Sequence, residues 1–160
     1  MNRPQKGFSL IELLIVVAII LIIAAIAIPN LLRARMQANE ASAVASLHSV
    51  NTAQIAYSSA FPTIGFAVAL TDLGDGGTSP CPGTPTASCY IDTTLANGTK
   101  SGYIFTYVHD TSSTPSLHYT LNADPVTRGI TGQRSFFTSD YNVPRYNTTA
   151  AATSSDAPLQ

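Results

Sequence analysis

The chain divides by its pattern of apolar and polar positions before any residue is singled out. From Phe8 to Ile28 all 21 residues are apolar except Ser9 and Glu12. At about 1.5 Å per residue such a helix is roughly 31 Å long, enough to cross a bilayer core of about 30 Å. Past Pro29 the pattern changes. Val44, Leu47, Val50, Tyr57 and Phe61 recur at helical spacing among Ala, Gln, Glu and Arg, which predicts an amphipathic helix with one face for a core. Phe61-Pro62 and Gly65 predict its end. Residues 62–102 are turn-rich, with Gly74-Asp75-Gly76-Gly77 and both cysteines. Period-two alternation then marks Tyr103 to His109 as a strand, Leu117 to Ala123 as its antiparallel partner across a Thr111 to Ser116 turn, and Ser135 to Ser139 as a third. From Asn147 the chain is Thr, Ala and Ser with little to pack, which predicts a mobile tail.

The fold class predicted is α+β: a long N-terminal helix packed on an antiparallel sheet of three to four strands. The organisation expected is a leader at 1–7, a membrane helix at 8–29, an amphipathic half at 30–61, loop and sheet at 62–146, and a tail at 147–160. At 160 residues there is room for one core of ordinary size. Charged residues make up 11% of the chain, against about 25% in typical soluble domains, so the surface is one of hydroxyls and amides. Arg3 and Lys6 precede the apolar run with no acidic residue, which directs the start of the chain to the cytoplasm and the rest across the membrane. Without residues 1–7, six Lys/Arg face nine Asp/Glu and the net charge is −3, so no basic footprint for nucleic acid is left.

A conventional secretory signal has a shorter apolar stretch with a small-residue cleavage site behind it. Ala25-Ile26-Ala27 imitates such a site, yet the chain runs on from it in helical pattern. Neither a signal peptide nor a plain anchor accounts for Glu12. A carboxylate in an apolar span costs up to about 2.5 to 3.5 kcal/mol at mid-bilayer and calls for a partner. A helix directs Glu12 sideways, towards a neighbouring helix, rather than back to Lys6.

The segment Lys6-Gly7-Phe8-Ser9-Leu10-Ile11-Glu12 resembles the class III signal peptides of type IV pilins and of the pseudopilins of type II secretion. The resemblance implies cleavage between Gly7 and Phe8 by a prepilin peptidase, N-methylation of Phe8, and retention of the apolar run. It implies that Glu12 pairs with the amino terminus of an adjacent subunit, and that Pro29 kinks or loosens the helix. It also implies self-assembly into a helical filament, dependence on pilus or secretion assembly machinery, and residence in the bacterial inner membrane before display on the surface or in the periplasm. The function expected is that of a pilus subunit serving adhesion, motility or DNA uptake, with a secretion pseudopilin as the alternative.

Other chemistry finds little support. Cys81 and Cys89 lack redox or zinc spacing and lie in the exported part, so a disulfide is expected. His48, His109 and His118 have no nucleophile or metal spacing, although His109 and His118 stand where a hairpin could oppose them. Asp72 and Asp75 near the Gly-rich loop suggest calcium only faintly. Arg33, Arg35 and Glu40 form a polar helix face, either solvated or set against neighbouring subunits. No catalytic constellation is visible, and neither an enzyme nor a resident cofactor is expected.

Overall fold

The computed structural model describes residues 9–77 and 80–159. Helix α1 spans Leu10–Ala60, 51 residues without interruption, and contributes to two compact units, one up to Arg35 and one from Met36 onward. In the first unit the described apolar side chains are nearly all exposed. Leu10 is 80% exposed, and the stretch is long and apolar enough to cross a membrane. Pro29 lies within α1 and has no N–H for the Ala25 carbonyl. The next residue strengthens the ladder, since Asn30 Nδ2 donates to the Ile26 carbonyl at 3.1 Å.

In the second unit the stripe is buried as its spacing requires. Leu47, Val50 and Tyr57 enter the core beside Ala43 and Ala53, with Val44 and Phe61 at its margin. The helix ends at Ala60, and Gly65 then turns the chain back at φ +83°. A Cβ there would come within 2.1 Å of the Ser116 carbonyl oxygen, so only glycine fits. A 3₁₀ turn (Leu70–Leu73) and a short helix α2 (Thr93–Ala96) follow.

The sheet has six strands in chain order, all antiparallel: β1 (Thr99–Lys100), β2 (Tyr103–His109), β3 (Tyr119–Pro125), β4 (Ser135–Ser139), β5 (Arg145–Asn147) and β6 (Ala157–Pro158). The three central strands are those the alternation predicts. On β3 the side chains of Tyr119, Leu121 and Ala123 are buried, and the last two join the α1 stripe in the core. β1, β5 and β6 are two or three residues long, too short for a period-two signal, and they raise the strand count above three to four.

The segment from Asn147 onward corrects the expectation of a loose tail. Ala152 is 2% exposed, and Leu159 N–H donates to the Pro144 carbonyl. The Arg128 guanidinium donates to the carbonyls of Gln133, Thr148 and Ala150 and to Ser135 Oγ. Asn122 Nδ2 donates to the Ala152 carbonyl at 2.7 Å. The Asp156 carboxylate gathers Asn147 Nδ2, Thr153 N–H and Thr153 Oγ1, while its own carbonyl receives Arg145. Residues 148–156 thus form a strap held through its backbone, and apolar content is no guide to it.

Candidate assembly site

The apolar run carries one carboxylate, and its surroundings follow from local sequence. Ser9-Leu10-Ile11-Glu12 has the spacing of a capping box, in which the third helical residue reaches back to the cap. Ser9 N–H donates to Glu12 Oε2 at 2.9 Å, and Ile11 N–H donates to Ser9 Oγ at 3.4 Å. Ser9 also accepts the N–H groups of Glu12 and Leu13 through its carbonyl. Glu12 is therefore both an exposed acid on an apolar helix and the residue that closes the capping box at Ser9, with Oε1 unengaged among the described residues. Sequence reasoning assigned the cation and overlooked the cap, although the Ser-x-x-Glu spacing was there to read.

A backbone amide is a partial substitute for a cation. It satisfies one oxygen, leaves the charge uncompensated and does not remove the cost of holding a carboxylate in hydrocarbon. The cleavage pair Gly7 and Phe8, with the methylation expected at Phe8, lies outside the described residues.

The structure brings other candidates to new places. Arg33 and Arg35 are exposed. Glu40, expected on a solvated or intersubunit face, is buried at 7% exposure and bound within its own unit. Its Oε1 accepts from the N–H groups of Gln133 (2.8 Å) and Arg134 (3.1 Å), and its Oε2 from Arg134 Nε (2.7 Å). The Arg134 guanidinium in turn lies over the rings of Phe136 and Tyr146. Burial pushes the Glu40 carboxyl up, but the Gln133 amide and then Arg134 pull harder, and the balance falls below its ordinary value. Nothing local signals a partner 94 positions away.

Cys81 and Cys89 are bonded, with Cα atoms 6.3 Å apart. His109 stands opposite Tyr119, not His118, and His118 Nδ1 meets Asp140 Oδ2 at 2.9 Å. Asp72 accepts from Ala69 N–H, and Asp75 from Gly77 N–H and Thr93 Oγ1. Among the described residues no group of three or more His, Cys, Asp or Glu is placed to hold a metal ion.

Residues 2–28 match the family model of the prokaryotic N-terminal methylation motif. Over 46 residues the chain is 61% identical to the type IV wide pilus major component PilA4 of Thermus thermophilus, a match covering 29% of this chain and 35% of that protein. Over 53 residues it is 49% identical to the type IV major pilin protein PilA of Myxococcus xanthus, covering 33% and 24%. The chain thus spans about a third and a quarter of the lengths of these curated relatives. No solved structure matches. A methylation-motif helix joined to an antiparallel sheet defines the class of pilin-like proteins. Over the matched stretches the chain is similar to type IV pilins, and residues 2–28 carry the methylation motif.

Proposed function

We propose that the chain is a structural, non-enzymatic subunit of a type IV pilus. In this reading a prepilin peptidase cuts it after Gly7, Phe8 becomes the N-methylated terminus, and α1 anchors the subunit in the inner membrane with its start in the cytoplasm. Docking into a filament then gives Glu12 its partner. The observation that carries the reading is a single carboxylate in an exposed apolar helix, inside a matched methylation motif.

The mechanism is an exchange of partners. In the lone subunit Glu12 rests on the amide of Ser9. Beside a subunit already in the filament, its carboxylate meets the α-amine of that neighbour, a full positive charge, and the pairing sets the axial register. Pro29 is the joint at which α1 gives way during packing, because the ladder there lacks one hydrogen bond. The surface so formed serves adhesion, motility or DNA uptake.

Filaments sheared from cells, with mass spectrometry of their main subunit, test the proposal. Abundant surface filaments of this chain, beginning at methylated Phe8, are expected. A chain confined to the periplasm and absent from the sheared fraction would instead indicate a secretion pseudopilin. The curated relatives bear pilin names, which favours the pilus.

A further inference from the structure

On the sheet face turned away from α1 there is a groove of about 560 Å³ that the assembly site does not use. Its floor is the outward side of β3 and β4, where Thr120 pairs with Ser139 and Asn122 with Phe137. The strap at Ala152, Thr153 and Ser154 forms one wall. Tyr141, 77% exposed, stands at the rim on the turn after β4.

We infer that this groove binds a neutral saccharide. The volume falls in the roughly 300–1,000 Å³ range of small-molecule clefts. No Lys or Arg lines it, and its imidazole, His118, is already paired with Asp140, so it offers no standing positive charge to an anion. A peptide strand has no edge to join, since β3 and β4 are each paired on both sides. A purely apolar ligand would strand the hydroxyls of Thr120 and Ser154. What remains is a ligand with one C–H-rich face and many hydroxyls. A pyranose ring lays that face on Tyr141, a large amphipathic surface with little conformational freedom to lose. Its hydroxyls meet the Thr and Ser hydroxyls, Asp140 Oδ1 and Asn122 Oδ1. The other oxygen of Asp140 and the amide nitrogen of Asn122 are held by His118 and Ala152, which fixes both acceptors.

This site rests in part on the pilus reading. A filament built through α1 leaves the groove outward and repeats it along the fibre, so weak single-site binding gains by multivalency.

The test uses the full chain in a non-glycosidic detergent, with cellotriose and chitotriose as probes followed by saturation-transfer NMR. Saturable transfer to at least one trisaccharide is expected. Tyr141→Ala should weaken it about tenfold or more, equivalent to 1.4 kcal/mol, and Tyr141→Phe should retain it. Ser154→Trp, which fills the groove from the strap side, should also abolish it. Binding of neither sugar, binding unchanged in Tyr141→Ala and Ser154→Trp, or a preference for inorganic sulfate at the same site overturns the inference. Sheared filaments are assayed separately for retention on cellulose and chitin. Sugar binding by the detergent-held chain with no filaments on the cell would fail the pilus reading alone, whereas intact filaments with no sugar binding would fail this inference alone.

Discussion

Two stretches of one helix carry a glutamate each, and the two have opposite circumstances. Glu12 lies among side chains that are nearly all exposed and, among the described residues, is held by the amide of a residue three positions before it. Glu40 is buried against a loop 93 and 94 positions away, with three donors on its two oxygens. Among the described residues the fold engages both oxygens of the second carboxylate and one oxygen of the first. Under the proposed function the region up to Arg35 is completed by a neighbouring subunit, while the region from Met36 packs on itself.

The sharpest way to break this contrast is at the cleavage site. Gly7→Val should leave full-length precursor with no mature band on a gel and no filaments, while the melting temperature of the second unit stays unchanged. Glu12→Ala should give a processed chain of normal melting temperature with few or no filaments, since losing one member of a buried pair costs about 3 to 5 kcal/mol. Normal filament numbers would remove Glu12 from the assembly role. Glu40→Ala should do the reverse. Its unfolding free energy should fall by about 3 kcal/mol, the low end for breaking such a pair because 38% of the Arg134 side chain is still exposed. Chemical denaturation of the detergent-held chain measures it.

Reducing the Cys81–Cys89 bridge should lower stability by about 2.5 kcal/mol in the chain-entropy model for its short loop, read by the same denaturation with and without reductant. Acid sharpens the contrast further. Because the folded carboxyl of Glu40 sits below its ordinary 4.5, its contribution is fully present above that value and is lost as pH falls through the lower folded value. Melting temperature should drop in that window, and Glu40→Gln should start lower and lose less. The smallest effect, about 1 kcal/mol, is expected of Arg128→Ala, because three of its four hydrogen bonds are exposed and water replaces them when the guanidinium is lost. Hydrogen exchange at residues 148–156 should report it before any global change.

Legibility in the sequence followed the range of the interaction. The apolar run, the motif around Gly7, the stripe from Val44 to Phe61 and the three central strands were readable because each is periodic or contiguous. The Cys81–Cys89 bridge was readable because compartment and spacing left few alternatives. Glu40 was misread because its partner is in contact only through the fold, so a charge on a helix face looked like a solvated one. The strap was misread for a different reason. Its anchors are carbonyl oxygens, which every residue has, and the side chains that hold them, Arg128 and Asn122, lie elsewhere in the chain. The cap at Ser9 is legible too, because the Ser-x-x-Glu spacing is local.

Asn51 and Gln54 sit among apolar neighbours on the buried side of α1, and each takes two partners. Asn51 holds Thr138 Oγ1 and the Tyr119 hydroxyl, while Gln54 holds the Tyr107 hydroxyl and the Ala67 amide. A stripe of Ala, Leu and Val alone tolerates rotation of the helix on the sheet, since one aliphatic contact substitutes for another at small cost. Two amides with fixed donors and acceptors do not, because a turned helix would leave up to four hydrogen bonds unmade in a dry interior. They act as a key, and the helix face opposite them is presented at one setting in every copy. In the filament proposed above, that regularity would rest on two side chains buried inside each subunit.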